Sequence, residues 1–193
     1  MSALTITKIN GEKSDPRIVS KSHPDDIIVE GDIDQHCKVT LISQKRIVIQ
    51  GKIDNNCDVT LISGGDIEVY GRIENNCNVT LLAATNVTIG MAMNLGENER
   101  KITNNCTVRA EAGGVILHSS EIHNQCNVTL QARGSVTVQG KVKDGCKLVI
   151  ESGDTVSAGD IGRSFIEVRA AKDILVGAVH DHCDVTLDSS RGN

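Results

Sequence analysis

The fold of this chain is decided by residues 27–86, which read IIVEGDIDQHCKVTLISQKR, then IVIQGKIDNNCDVTLISGGD, then IEVYGRIENNCNVTLLAATN. These three segments are each 20 residues long and align without a gap, so that the glycines at 31, 51 and 71 coincide. Cys37, Cys57 and Cys77 coincide in the same way. A fixed period of this length, built on alternating β-branched residues, is typical of a solenoid in which every repeat forms one coil.

The pattern within one repeat predicts three strands and three corners. Residues two apart point to the same side of a strand. The second repeat therefore has three inward groups, which are Ile47 with Ile49, Ile53 alone, and Cys57 with Val59 and Leu61. Gly51, the pair at 55–56 and residues 63–66 separate these groups and have the composition of corners. We predict an all-β fold, a right-handed single-stranded parallel β-helix whose coils stack about 4.8 Å apart.

The later repeats keep this pattern with local changes. After Val87–Ile89 the pattern resumes only at Ile102, so we predict an insert loop at residues 91–100 that leaves the glycine corner. The fifth coil is predicted to begin at residues 115–117, and a shorter seventh coil places Ser164 where other repeats have cysteine. The eighth coil reaches Leu187 with no visible C-terminal cap. Either this end packs on another subunit, or the chain is a piece of a longer one.

Residues 1–26 do not repeat, and they contain both prolines of the chain. An end coil exposes core side chains and unpaired strand edges, so solenoids usually cover it with an atypical segment. We therefore predict a single domain of about eight coils. It consists of an N-terminal cap at residues 1–26 and a parallel β-helix at residues 27–193.

Composition limits the partners. The formal net charge is −5 and no basic run occurs, which argues against nucleic acid as a partner. No stretch approaches about 18 consecutive apolar residues, so we predict no membrane span. The N-terminal residues lack the apolar region of a signal peptide. We expect a cytoplasmic protein, with delivery into a host cell as the alternative.

Stacking turns each repeat position into a column along the axis. The cysteine column comprises Cys37, Cys57, Cys77, Cys106, Cys126, Cys146 and Cys183. Cys57 is two residues from Val59 and four from Leu61, so its side chain points to the same, inward side of the strand. A buried cysteine behaves as a small apolar side chain. The odd count and a reducing compartment argue against disulfides. We predict an inert structural ladder and no cofactor, with metal binding or redox chemistry as the alternatives.

A column of amides precedes the cysteines. It includes Asn56, Asn76 and Asn105. Identical amides in stacked coils hydrogen-bond to their copies above and below. We therefore predict a second structural ladder at this corner.

An acidic column at Asp34, Asp54 and Glu74 stands beside a basic column that includes Lys52 and Arg72. Repeated acids beside repeated bases are typical of a self-neutralising, solvated face. The acids also offer, formally, the paired carboxylates of a polysaccharide-cleaving enzyme or the oxygens of a cation site. Neither alternative has the supporting residues that it needs, so we predict no catalytic residue here.

Histidines and a cysteine cluster near the end of the chain, at His180, His182 and Cys183. Such side chains are zinc ligands, but no second pair of ligands accompanies them in the sequence. We therefore expect a surface turn and predict no metal site.

Two groups of apolar side chains are candidates for contact with a partner. Ile42, Ile62 and Leu82 have outward parity, and three stacked aliphatic side chains would form a contiguous contact patch. The alternative is that the strand bends there and turns these side chains inward at the corner. The second group is Met91, Met93 and Leu95, which lie in the insert loop.

The phrase I-x-V-x-G-x-I, at residues 47–53 and 67–73, resembles the polymer-forming β-helix of bactofilins. Residues 64–73, GGDIEVYGRI, are similar to the β-helical part of flagellar assembly protein A. Residues 128–138, VTLQARGSVTV, are similar to repeats of haemagglutinin-type secreted adhesins. The bactofilin resemblance covers residues 27–187 and implies a right-handed helix that polymerises end to end without a nucleotide. The chain departs from that family in its longer period, its cysteine column and its insert.

Three functional hypotheses follow. The first is a non-enzymatic structural or scaffolding protein that self-associates, as a homo-oligomer or an end-to-end polymer. It would do so through its C-terminal end or through the flat face at Ile42, Ile62 and Leu82. The second is a protein-binding module, such as a bacterial effector or an adhesin-like segment, that uses the 91–100 loop. The third is a polysaccharide-active enzyme, which rests on analogy of fold alone.

Overall fold

The computed structural model describes residues 2–11, 17–90 and 100–190, and these residues form strands, turns and irregular backbone with no helix. Adjacent coils pair in parallel throughout the described chain, in two nine-stranded sheets that run along one axis. The parallel β-helix predicted from the repeat is therefore confirmed, with nine turns in place of about eight.

Each coil has three sides. The first side is a sheet of three-residue strands, which are β1 (Leu4–Ile6), β4 (Ile27–Val29), β7 (Ile47–Ile49), β9 (Ile67–Val69), β11 (Val87–Ile89), β13 (Ile116–His118), β15 (Val136–Val138), β17 (Val156–Ala158) and β20 (Ile174–Val176). The second side is a sheet of six-residue strands, which are β3 (Ile18–His23), β6 (Lys38–Ser43), β8 (Asp58–Ser63), β10 (Asn78–Ala83), β12 (Thr107–Ala112), β14 (Asn127–Ala132), β16 (Lys147–Ser152), β19 (Phe165–Ala170) and β22 (Asp184–Ser189). The third side is narrow and consists of β2 (Ile9–Asn10), β5 (Ile33–Asp34), β18 (Ile161–Gly162) and β21 (Val179–His180), with single bridges at Ile53, Ile73, Ile102, Ile122 and Val142.

The repeat sets the register of the stack. Ile47 pairs with Ile27 on one side and with Ile67 on the other, each 20 residues away. Every inward position thus becomes a column of aliphatic side chains along the axis. The inward side chains of the second repeat are completely buried, namely Ile47, Ile49, Ile53, Val59 and Leu61. The core is a narrow aliphatic column, as the near absence of aromatic residues requires.

The fifth coil differs from the sequence prediction by one residue. Ile116 pairs with Val87 and Val136, so the strand begins at 116 and not at Val115. Because side chains alternate, a slip of one residue exchanges the inner and outer faces. Val115 is accordingly 45 % exposed, while His118 takes an inward position and is completely buried. Residues 115–117 are all apolar, so no alternation of apolar and polar residues shows which of them point inward.

The stretch predicted as a cap contributes a coil of its own. Strands β1, β2 and β3 pair with β4, β5 and β6, which accounts for the ninth turn. Its inward positions are less regular than those of the repeats, since Lys21 stands in register with the fully buried Leu41. A charged side chain at an inward position of an edge strand discourages further pairing. Strands β1–β3 therefore add one coil to the stack, and Lys21 discourages a further coil from pairing with it.

Two corners have different physical requirements. A Cβ on Gly51 would lie 2.4 Å from the carbonyl oxygen of Gly31, so this corner needs glycine because neighbouring coils approach closely. The amide corner needs a left-handed backbone, since Asn55 and Asn56 have φ angles of 57° and 60°. Asparagine tolerates that conformation better than most residues do. The same pair of left-handed residues recurs at 75–76, 104–105 and 124–125.

Candidate functional site

The cysteine column lies inside the stack, at the start of the second side. Six of its thiols are at most 2 % exposed, and they are Cys37, Cys57, Cys77, Cys106, Cys126 and Cys146. Cys183 is half-buried, and all seven cysteines are free. Ser164 is buried in the same column, where its hydroxyl donates to the carbonyl oxygen of Gly162 at 2.9 Å. The inward placement predicted for this column is what the structure shows.

Several thiols close the left-handed turn that precedes them, namely those of Cys37, Cys57, Cys126 and Cys183. The Sγ–H of Cys57 donates to the carbonyl oxygen of Asp54 at 3.0 Å, and its sulfur accepts the backbone N–H of Cys37 at 3.4 Å. Burial is the main reason that the pKa of the Cys37 thiol rises to about 11. A protonated, buried thiol such as that of Cys37 is a poor nucleophile and a poor metal ligand. Further along the column, hydrogen bonds between neighbouring thiols lower the pKa of Cys106 and raise that of Cys126 to about 12. The burial of the column and its hydrogen bonds to the corners favour a structural role.

The amide ladder lies one column earlier than predicted. Asn104 donates its amide hydrogens to the side-chain oxygen of Asn75 at 2.9 Å, and Asn124 donates to Asn104 at 3.0 Å. In the earlier coils the acceptor is an aspartate, since Asn75 donates to Asp54 at 2.7 Å. The predicted residues Asn56, Asn76 and Asn105 are exposed and contribute backbone N–H groups to the next coil instead. The reason is the second left-handed residue, which turns its side chain toward solvent.

The third side carries ion pairs that cross between coils, such as Lys52 with Glu74 and Lys101 with Glu121, and we call it the charged face. It consists of the side chains on either side of the inward bridge residues. One column comprises Lys8, Asp32, Lys52, Arg72, Lys101, Glu121, Lys141 and Asp160, and the other comprises Asn10, Asp34, Asp54, Glu74, Thr103, His123 and Lys143. The face is less solvated than the sequence predicts, because Asp34, Asp54 and Glu74 are buried at the corner.

Carboxylates of the charged face are held by neighbouring cations. Lys52 Nζ lies 2.6 Å from Asp54 Oδ2 and 3.7 Å from Glu74 Oε1, and Arg72 Nε lies 2.5 Å from Glu74 Oε1. Burial opposes ionisation of Asp54, but hydrogen bonds from Lys52 and Asn75 outweigh it and lower its pKa. Burial and the nearby Asp54 carboxylate raise the pKa of Glu74. Ion pairing and burial account for both shifts without a catalytic role.

Further along, the acidic column gives way to other residue types. His123 Nδ1 lies 3.4 Å from Thr103 Oγ1. Glu121 Oε2 lies 3.3 Å from Lys101 Nζ and 3.4 Å from Lys143 Nζ. Burial opposes ionisation of Glu121, but the two lysines outweigh it and lower its pKa. This half of the face therefore has lysines arranged around one carboxylate.

Ile42, Ile62 and Leu82 point outward in one column of the second side. Each strand continues one residue further, so that Ser43 turns inward and is 3 % exposed. The corner thus follows the serine, and the alternative in which these three side chains turn inward is wrong. Ile42 is 38 % exposed, and the other two are half-buried. Their role in binding a partner stays a prediction.

Beside Leu82 the same column becomes polar and borders an open groove of about 950 Å³. Small residues such as Ala112 and Ala170 line its floor. Glu151 at its rim accepts from Gln131 at 2.6 Å and lies 3.4 Å from Arg169. Sequence reasoning missed this groove, although the change from aliphatic to polar residues in one column was a signal for it. Its polar groups are largely bonded to one another.

The last coil of the described chain presents apolar side chains to solvent. Leu175, Val179 and Leu187 are 68 %, 51 % and 49 % exposed. Leu187 is in register with Val168, which is fully buried one coil earlier. Val179 is likewise in register with the fully buried Ile161, whereas Leu175 is in register with Ser157 and points outward. Core-register side chains are thus exposed at Val179 and Leu187, and strand β22 is paired only to β19 in the described chain.

The histidines of this coil lie at a turn. Asp181 and His182 have φ angles of 61° and 56°, so they occupy the left-handed corner, and His180 lies in β21. The Sγ–H of Cys183 donates to the carbonyl oxygen of His180 at 2.8 Å. Across residues 2–11, 17–90 and 100–190, no group of three or more His, Cys, Asp or Glu side chains is placed to hold a metal ion.

Met91, Met93 and Leu95 of the predicted insert loop lie outside the described residues. The pattern resumes at Ile102, which bridges to Ile73 as the sequence predicts. No helix in the described parts of the chain is long and apolar enough to cross a membrane. Comparison with models of protein families, with curated proteins and with solved structures finds no match to this chain.

Proposed function

We propose that this chain is a non-enzymatic structural protein that self-associates through its C-terminal coil, which consists of β20, β21 and β22. The observation that carries the proposal is the exposure of core-register side chains there, above all Leu187 at 49 %. A row of unpaired backbone groups with apolar side chains beside it is a template for pairing with another chain. Burying each Leu or Val side chain in such a contact contributes about 1.5–3 kcal/mol.

The second copy is expected to contribute its own C-terminal coil. The opposite end of the stack has Lys21 at an inward position, in register with Leu41. Stacking Lys21 on Leu187 of another copy would bury a charge without a partner, which is costly. Two C-terminal coils related by a two-fold axis instead bring apolar surface onto apolar surface. The contact is therefore tail to tail.

The free thiols fit a reducing compartment, and a cytoplasmic location is part of this proposal. End-to-end association is also what the resemblance to bactofilins implies. The alternative of a polysaccharide-cleaving enzyme receives no support from Asp54 and Glu74, because Lys52 and Arg72 already engage these carboxylates. The groove lies on a different side of the coil.

Sedimentation velocity over a concentration series, with negative-stain microscopy, tests the proposal on the full chain. At about 1 M salt, which screens contacts between charges, we expect the unmodified chain to associate and Leu187→Lys to be monomeric at the same concentration. Ile42→Lys is the matched control, because Ile42 is another exposed aliphatic on the same side of the coil. It should associate as the unmodified chain does.

Two results would overturn the proposal. One is an unmodified chain that stays monomeric at every concentration and ionic strength. The other is dissociation by Ile42→Lys but not by Leu187→Lys, which would assign the contact to the flat face at Ile42, Ile62 and Leu82.

A further inference from the structure

The charged face is divided into an acidic part and a basic part. We count the coil of β1, β2 and β3 as the first of the nine, so that β13 begins the sixth. In the second to fourth coils the charged face has the carboxylates Asp32, Asp34, Asp54 and Glu74 against the cations Lys52 and Arg72. In the fifth to seventh coils it has the lysines Lys101, Lys141 and Lys143 against Glu121, with His123 beside them. Acid is in excess at one end and base at the other.

The charges farthest from the middle have the weakest compensation within the chain. Asp32 accepts the backbone N–H of Lys52 at 2.9 Å, and Asp34 accepts the amide of Asn55 at 2.8 Å. Neither of these donors is a cation. At the other end the closest carboxylate to Lys141 Nζ is Asp160, 3.9 Å away, and the Lys141 side chain is 59 % exposed.

We propose that two copies of this chain dock through their charged faces in antiparallel orientation, with a two-fold axis between the fourth and fifth coils. This axis lies across the stack, so each column meets its own copy in reverse order. The first coil then faces the eighth, the second faces the seventh, and the third faces the sixth.

The match of opposite charges lies in the first column, where the arrangement brings Lys8 to Asp160, Asp32 to Lys141 and Lys52 to Glu121. In the second column Lys143 comes to Asp34. The side chains of Asp34, Asp54, Glu74 and Thr103 are buried within the chain, so this column contributes through its charge more than through direct contact. At the adjacent corner the amides of Asn55 and Asn75 meet those of Asn124 and Asn104, which are able to pair. The like-charge contact is Arg72 with Lys101 at the centre, and each of these keeps its own carboxylate, Glu74 and Glu121.

Other placements match fewer charges. Moving the axis by half a coil sets Asp32 against Asp160 in one direction and against Glu121 in the other. Moving it by a whole coil keeps opposite-charge contacts such as Asp32 with Lys101 or Lys52 with Asp160, but sets Arg72 against Lys52 or Lys141. A parallel pair exchanges the columns; it sets Lys52 against Asp54 and Arg72 against Glu74, but also Asp32 against Asp34 and Lys141 against Lys143. Because like charges placed opposite one another are unfavourable, the face favours the antiparallel orientation and the register with the most opposite-charge contacts.

The contact is small and electrostatic. Eight coils span about 34 Å along the axis, and the face is only about 10 Å wide. The resulting area of about 340 Å² per copy is below the roughly 800 Å² per partner of a standard interface, so the complex is expected to be weak and transient. The pairing should therefore weaken steeply with ionic strength, since the Debye length falls from about 10 Å at 0.1 M to about 3 Å at 1 M.

This proposal does not depend on tail-to-tail association, and the test separates the two. The measurement is sedimentation velocity of the full-length Leu187→Lys variant at high protein concentration and low salt. In that background we expect a dimer that about 1 M salt dissociates. Contacts through the apolar C-terminal coil should instead resist salt, because salt does not screen apolar burial.

Charge reversal provides the decisive comparison. Asp32→Lys and Lys141→Glu should each weaken the dimer by about tenfold or more, since each sets like charges opposite one another. The double variant Asp32→Lys/Lys141→Glu restores both contacts in the dimer and should recover most of the affinity. Lys38→Glu, an exposed lysine on the second side, makes the same change in net charge as Lys141→Glu and should leave the dimer intact.

Asp32→Asn guards against a folding defect at this position, because it keeps an oxygen acceptor for the N–H of Lys52. It should fold normally and weaken the dimer less than Asp32→Lys. The proposal is overturned if the double variant fails to recover affinity while remaining folded by circular dichroism. It is also overturned if Lys38→Glu dissociates the dimer as strongly as Lys141→Glu, or if Leu187→Lys is monomeric at low salt.

Discussion

The backbone N–H of Cys57 donates to the Sγ of Cys77, 3.4 Å away in the next coil. The same relationship joins Cys37 to Cys57. The sulfurs of Cys57 and Cys77 thus accept from the coil before them. Several thiols donate in turn to a carbonyl oxygen of their own corner, as Cys126 does to His123 at 3.2 Å. Cysteine suits this column because it is small and apolar and still completes a hydrogen bond in the core.

Thiol reactivity should separate Cys183 from the other six cysteines. Cys183 is half-buried in the last coil, while the others are at most 2 % exposed. Alkylation of the native protein at neutral pH, followed by mass mapping, should modify Cys183 first. Unfolding in urea should then expose all seven thiols. Rapid labelling of Cys57 or Cys77 in the native protein would contradict the buried ladder.

Gly51→Ala should destabilise the protein strongly. The added Cβ would lie 2.4 Å from backbone atoms of Gly31, and backbone atoms move only if neighbouring coils separate. We expect a loss of at least about 1–3 kcal/mol in the free energy of unfolding, measured by urea denaturation. Gly145→Asn is the matched control, because Gly145 has a φ of 76° and an open position where other coils have asparagine or glutamine. A loss at Gly145→Asn as large as that at Gly51→Ala would contradict this account.

The sequence predicts those features that depend on periodicity alone. Identical residues such as Ile27, Ile47 and Ile67 must stack in a parallel solenoid, and this gives the inward columns and the cysteine ladder. Features that depend on where a strand restarts are not predictable in the same way. After the insert, residues 115–117 are all apolar and show no alternation. The sequence therefore does not predict that His118 is in register with the inward Ile89.

The remaining differences have a similar origin. Strands β1–β3 join the stack through backbone hydrogen bonds, which any sequence can make, so the lack of repetition there did not exclude a coil. The amide ladder moved by one column because two consecutive left-handed residues reverse the usual alternation of side chains. The proposed pairing of two charged faces depends on the order of charges over eight coils. It cannot be predicted from one repeat, because the charges differ from coil to coil.

Asn76→Ala should cost about 1 kcal/mol, because Asn76 has a φ of 60° and alanine is strained in the left-handed region. Asn76→Gly should be close to neutral, since glycine adopts that region freely. The measurement is the urea midpoint of each variant. Asn78→Ala is the control, because this exposed strand residue makes a single side-chain bond at 3.4 Å to Asp58. Equal costs for Asn76→Ala and Asn76→Gly would show that the backbone conformation is not the cause.

Replacing His118 should change how stability depends on pH. His118 stands between Ile89 and Val138 in an inward column and is completely buried, and neither ring nitrogen makes a hydrogen bond of normal geometry. Burial lowers its pKa from the ordinary value of 6.5 to about 4, against a smaller opposite effect of the Ser120 and Glu121 backbone. Below pH 6.5 the unfolded chain therefore binds a proton that the folded chain does not bind until about pH 4.

By linkage, the free energy of unfolding should fall as the pH drops from about 6.5 toward 4, by about 3 kcal/mol in total. His118→Val, which places in this column the residue found at Val138, should remove that part of the pH dependence. Urea denaturation at a series of pH values measures it, and His182→Asn, at an exposed left-handed corner, is the control. An unchanged slope in His118→Val, or an equal change in His182→Asn, would mean that another group causes the loss at low pH.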